Sequence, residues 1–89
     1  MQILLYFSER NFKLTRNAAI SGHNKEQMAG TTGDCKAACL AKLWCKSFDY
    51  NKNANGCDLS DKNEEDIGGL KTNYNGNPYD HYEKTEKGK

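Results

Sequence analysis

The alternation of apolar and polar positions is clearest in the middle of the chain. Lys46-Ser47-Phe48-Asp49-Tyr50 alternates as a half-buried strand does, Asn55-Gly56 is a hairpin turn signal, and Cys57-Asp58-Leu59-Ser60 alternates again. Just upstream, Thr31-Thr32-Gly33-Asp34 leads into Cys35-Lys36-Ala37-Ala38-Cys39-Leu40-Ala41-Lys42. Thr31 is a suitable N-cap and Asp34 can bond back to it, which predicts a helix of about three turns. Cys35, Ala38, Cys39 and the stem of Lys42 recur at helical spacing, and Cys35 and Cys39 project from one side. The centre of the chain therefore reads as helix, then hairpin.

The flanks carry weaker signals. Asn11 to Thr15 alternates, and Ala18-Ala19-Ile20 runs into Ser21-Gly22, so two short strands are expected there. The stretch from Lys62 to Asp66 is charged, Gly68-Gly69 and Asn73 to Pro78 are turn-rich, and Tyr79 to Glu83 alternates as a closing strand. Residues 1–84 are expected to form a single domain, and residues 85–89, which include no apolar side chain, a disordered tail.

Composition sharpens this picture. Eighty-nine residues with 36% hydrophobic content bury too little apolar surface to offset chain entropy comfortably, so covalent staples are expected, and four cysteines are present. The net charge of +1 lacks the footprint of a nucleic-acid binder. Its distribution is uneven: residues 1–56 hold eight basic against four acidic residues, and residues 57–66 hold one against five. Ile3 to Phe7 is too short to span a bilayer and lacks the flanks of a signal peptide, so membrane insertion is not expected. If its cysteines are oxidised, the chain belongs outside the cell or at its surface, as a mature form or a domain excised from a longer precursor.

The spacing Cys35-x3-Cys39-x5-Cys45-x11-Cys57 fits neither a zinc ribbon, whose cysteines pair on tight turns, nor a Cys-x-x-Cys redox site. Disulfides remain, with three connectivities open. A nested arrangement, Cys35 with Cys57 and Cys39 with Cys45, is favoured because the helix end can turn directly into the strand.

Taken together, Thr31-x-x-Asp34-Cys35-x3-Cys39-x5-Cys45-Lys46-Ser47-Phe48-Asp49-Tyr50-Asn51, then Gly56-Cys57-Asp58-Leu59-Ser60 and the closing Tyr79-Asp80-His81-Tyr82-Glu83-Lys84, resemble the PAN/apple domain family. The resemblance runs from about residue 12 to 84 and is strongest from Thr31 to Ser60. It implies an α+β fold: a small disulfide-stapled antiparallel sheet with one helix packed across it, of the minimal four-cysteine kind. It also implies a non-catalytic extracellular module that binds a protein or a carbohydrate, glycosaminoglycans included.

The residues themselves offer no catalytic constellation and no cofactor motif, so neither an enzyme nor a cofactor is expected. The alternating Asp49, Asn51, Asn53 and Asn55 imitate a calcium loop but lack its glycine and its bidentate glutamate, so an Asn-rich turn is the better reading. Tyr74, Asn75, Asn77, Tyr79 and His81, with Lys71 nearby, combine aromatic rings and amides as a sugar site does; the competing reading is a turn followed by an ordinary strand with Tyr82 in the core. Arg10, Lys13, Arg16, Lys36, Lys42 and Lys46 are candidates for an anionic-glycan patch, against the plainer reading of a solvated mixed surface. Trp44 is expected as a lid over the neighbouring disulfide rather than an exposed anchor. Ile3 to Phe7 is either an edge strand or part of an interface. A third functional class, a structural spacer in a larger adhesin or protease, predicts neither an exposed apolar patch nor a concave aromatic site. The oligomeric state is left open.

Overall fold

A computed structural model describes residues 11–72 and 78–85. Among these residues five strands form one antiparallel sheet: β1 (Phe12–Thr15), β2 (Asn24–Ala29), β3 (Ser47–Asn51), β4 (Gly56–Ser60) and β5 (Tyr79–Lys84), in the spatial order β1-β5-β3-β4-β2. Helix α1 (Thr32–Ala41) packs on one face, and a single turn, α2 (Glu64–Ile67), follows β4. The chain is an α+β fold.

Helix α1 starts where its local chemistry dictates. The Thr31 hydroxyl accepts from the Asp34 N–H and the Asp34 carboxylate accepts from the Thr31 N–H, a reciprocal capping box. Its last turn contains no basic residue. The cation comes from β5 instead: Lys84 Nζ donates to the Cys39 carbonyl at 2.8 Å and the Lys42 carbonyl at 3.3 Å. Burial of that amine lowers the Lys84 pKa.

Alternation in the strands sorts the side chains onto two faces. Toward α1 lie Phe48 and Tyr50 of β3, Cys57 and Leu59 of β4, Tyr82 of β5 and Phe12 of β1, all buried. Phe48 stacks on Tyr82 with ring centroids 4.8 Å apart and meets Phe12 edge-on at 5.4 Å, geometries favoured by aromatic quadrupoles. Only Cys35 and Cys39 of α1 are fully buried, so the helix brings little apolar area to this core. Disulfides compensate, with Cys35–Cys57 tying α1 to β4 and Cys39–Cys45 tying its end to the approach to β3.

Two elements differ from the sequence expectation. Ala18-Ala19-Ile20 is no strand; Ala19 makes an isolated bridge with Lys71, and the segment is buried against the sheet. The strand in this region is β2, which has no alternation to detect because it is an edge strand with nearly every residue exposed. Lys84, the last residue of the expected domain, closes β5, and Thr85, assigned to the tail, still donates to the Asn11 carbonyl. Ile3 to Phe7 and residues 86–89 lie outside the described residues.

The Cys35–Cys57 bridge spans 22 positions and Cys39–Cys45 only 6. Replacing both Cys35 and Cys57 by alanine is expected to lower the unfolding free energy by about 3 kcal/mol, the loop-closure value for that separation. Urea denaturation of the oxidised proteins checks this; an unchanged midpoint would show that packing alone holds α1.

Candidate functional site

The sheet face turned away from α1 is built from the other alternate residues, which the register arranges in three rows. Ser60, Ser47 and Glu83 form one row across β4, β3 and β5; Asp58, Asp49 and His81 form the next; Gly56, Asn51 and Tyr79 form the last. This face is polar yet partly enclosed, because residues 18–20 pass over it and α2 abuts its end. Ile20 N–H donates to Asp49 Oδ2 at 3.0 Å, and Glu64 N–H donates to Glu83 Oε1 at 2.7 Å. Ser47 Oγ donates to the Lys62 carbonyl and Ser60 Oγ to the His23 carbonyl.

His81 sits at the centre of this face with only 1% of its surface exposed. Its Nδ1 lies 2.8 Å from Asp49 Oδ1 and its Nε2 lies 3.2 Å from Glu83 Oε1. A carboxylate at each ring nitrogen favours the doubly protonated imidazolium, which donates from both. Burial pulls its pKa down, but the bonds to and charges of Asp49 and Glu83 outweigh this, and the value is raised above that of an ordinary histidine. Burial pushes the Asp49 carboxyl up; His81 and the Ile20 N–H offset part of that rise, and Asp58 opposite adds to it.

In the last row Gly56 contributes no side chain. A Cβ there would lie 2.8 Å from the Met28 carbonyl oxygen, so only glycine lets β2 approach β4 at this point. Beside this close approach lies a trough of about 330 Å³ with Gln27, Asn51, Asp58 and Tyr79 among its walls. Asp58 and Tyr79 also border a smaller cleft of about 160 Å³, where Ile20, Asn24 and Asp49 join them.

The opposite side of the molecule carries a different feature. Beyond the buried cysteines, α1 turns Ala37, Leu40 and Ala41 outward, and the following turn exposes Leu43 completely and Trp44 by 36%. Lys25 Nζ stands 5.8 Å from the Trp44 ring centroid. Two loose ion pairs, Lys25–Asp61 and Lys42–Glu26, each 3.9 Å, lie beside this apolar group. Trp44 is thus no lid: Cys39 and Cys45 are shielded by the sheet, and the indole is left at the surface.

The PAN domain family model matches residues 9–86, nearly the whole chain. The chain belongs to the PAN domain family. The comparison with curated proteins returns no match. A PAN domain is a non-catalytic module, found also within larger enzymes, that typically binds a protein or a carbohydrate.

Within this PAN domain the sequence candidates separate. Of the expected sugar cluster, Tyr79 lines the trough and Lys71 is exposed where its backbone pairs with Ala19. His81 is corrected to an interior group, because both ring nitrogens are engaged and the ring has no open face for a ligand. Tyr74, Asn75 and Asn77 lie outside the described residues, as does Arg10. Of the basic candidates, Lys13 and Arg16 are exposed at the β1 edge and Lys13 falls in register with Glu83, on the face away from α1. Lys36 lies over the Tyr82 ring on the α1 side, Lys42 meets Glu26, and Lys46 meets Asp66 at 3.0 Å. Opposed faces and paired charges keep these cations from forming one continuous patch. Sequence reasoning missed the trough residues Gln27, Asn51 and Asp58, although the alternation of Cys57-Asp58-Leu59 already turned Asp58 away from the core. Among the described residues no group of three His, Cys, Asp or Glu side chains is arranged to hold a metal ion.

The buried cation has a pH signature. Because the folded His81 pKa is raised, its stabilising contribution is fully present below the unfolded value of about 6.5 and is lost as pH rises through the folded value. The urea midpoint is therefore expected to fall as pH increases above about 6.5. His81→Ala leaves two carboxylates without their shared cation and is expected to cost about 3–5 kcal/mol at neutral pH. Denaturation series of both proteins test this; a wild-type midpoint flat across that range would remove the ionised imidazolium.

Proposed function

We propose that this PAN domain is a secreted or cell-surface recognition module that docks a protein partner on the apolar surface of Leu40, Leu43 and Trp44. The observation that carries the reading is the exposure of Leu43, 102% of its reference surface, next to Trp44 and Leu40 in a chain with few large apolar side chains. An ordinary helix turns charged or polar residues to water, whereas α1 presents Ala37, Leu40 and Ala41 on that side. An apolar centre containing a tryptophan, bordered by ion pairs, has the composition of a protein interface. The two disulfides fix α1 on the sheet, so the surface is already organised before a partner arrives and little ordering entropy opposes docking.

The reading does not need turnover of a substrate or a cofactor. It differs from glycan recognition in what it requires of the surface: sulfated chains call for a continuous run of cations, whereas Lys42 and Lys46 each face a carboxylate.

Screening the oxidised protein in parallel against arrayed extracellular ectodomains and a glycan array that includes sulfated glycosaminoglycans separates the possibilities. A protein ligand is expected whose affinity drops at least tenfold for Trp44→Ala, about 1.4 kcal/mol or more, and falls for Leu43→Ser, with both variants retaining the wild-type circular dichroism and melting temperature. Protein binding that is indifferent to both substitutions would sink the proposal, as would salt-sensitive binding confined to sulfated glycans.

A further inference from the structure

We propose that the trough formed by Gln27, Asn51, Asp58 and Tyr79 over the Gly56 backbone is a site for a cationic side chain, the ammonium of a lysine or the guanidinium of an arginine carried by a partner polypeptide. The argument begins with a conflict in the sheet. Asp49 and Asp58 stand directly opposite each other on β3 and β4, on the same face. Like charges in that relation destabilise a sheet. Asp49 is compensated by His81 and by the Ile20 N–H. Asp58 has no such help: among the described residues its carboxylate has neither a hydrogen-bond partner nor a counter-ion.

The surroundings of Asp58 suit a cation better than a neutral ligand. The residue is half-buried at the wall of the trough, where a charge is screened less than on open surface. Asp58 is the one charged side chain among the trough walls, and behind it Asp49, His81 and Glu83 together carry one net negative charge even with the imidazole ionised. The nearby cation Lys52 is held by Asp80 at 2.9 Å and by Asn17. Tyr79 supplies an aromatic wall against which a cation is attracted by the ring quadrupole. Gln27, exposed on β2, supplies an amide oxygen for the remaining N–H groups, while Asn51, whose Oδ1 already accepts from the Asn53 and Ala54 N–H groups, shapes the wall. Sugar hydroxyls could also meet amides and a carboxylate, but they would leave the charge of Asp58 uncompensated, and that charge is the feature the site is built around.

This site lies on the face opposite Leu43 and Trp44 and stands or falls separately from the proposed docking surface. It is tested by amide chemical-shift titration of the isotope-labelled, oxidised protein. N-acetyl-arginine amide and N-acetyl-lysine amide serve as probes, with N-acetyl-citrulline amide as the uncharged isostere, a panel of methyl hexopyranosides as the sugar arm, and methylguanidinium as the free cation. The two cationic amides are expected to move the amides of Gln27, Asn51, Gly56, Asp58 and Tyr79 saturably, and citrulline is expected to leave them in place. Binding is expected to weaken at least tenfold in Asp58→Asn, to weaken with added salt, and to be unchanged in Leu43→Ser. Asp58→Asn also removes the opposed charge, so its melting temperature is expected to match or exceed that of the wild type, which keeps loss of binding distinct from loss of fold. A short peptide with one central arginine should bind more tightly than methylguanidinium; equal affinities would overturn the assignment to a polypeptide. Hexopyranosides shifting these amides while the cations do not would make the trough a saccharide site. Undiminished binding of arginine by Asp58→Asn would overturn the proposal outright.

Discussion

The covalent attachment of α1 to the sheet is the constraint from which the rest of this PAN domain follows. A ten-residue helix that buries little beyond two cysteines has too small an apolar face to stay on a sheet by packing alone. Cys35–Cys57 and Cys39–Cys45 hold it at both ends, and Lys84 reaches from β5 to its last carbonyls. Because the staples do this work, the outward side of the helix is released from the usual requirement of amphipathicity. Leucine and tryptophan can face solvent there without unbalancing the fold.

The other face of the sheet solves a different problem. Its alternate residues are Ser, Asp, Asn, His and Glu, which would ordinarily stay wet, yet residues 18–20 cover part of it. Buried carboxylates are tolerated only when their charge and hydrogen-bond capacity are met. His81 meets both demands for Asp49 and Glu83, and the N–H groups of Ile20 and Glu64 take further lone pairs. The same arrangement extends one strand further to Asp58, where cover stops and no internal cation is supplied. The polar network is thus complete toward β5 and open toward β2.

Much of this was legible in the sequence, and the exceptions share a cause. The capping box at Thr31 and Asp34, the helix carrying both cysteines, the paired strands around Asn55-Gly56 and the closing strand at Tyr79 are local patterns, and all appear in the fold. β2 was invisible because an edge strand exposed on nearly all positions has no period to read. The burial of His81 was invisible for a related reason: alternation shows that His81 and Tyr82 face opposite sides but not that the second side is covered by residues 18–20. Trp44 was misplaced because size argues for burial, whereas the disulfide beside it is already enclosed by the sheet.

The two proposed binding surfaces are separated by the sheet but not independent of the same strand. β2 carries a register shift between Asn24 and Glu26, which makes Lys25 the extra residue of a bulge. Lys25 there reaches Asp61 and the Trp44 ring, while two positions on Gln27 lines the trough. A bulge re-aims one side chain while the strand keeps its ladder. Without it, strict alternation would send Lys25 and Gln27 to the same face, bringing an ammonium to the side that holds Asp58. The bulge therefore does two things at once: it gives the Trp44 surface a polar border, and it withholds from Asp58 the cation that alternation would have placed nearest to it.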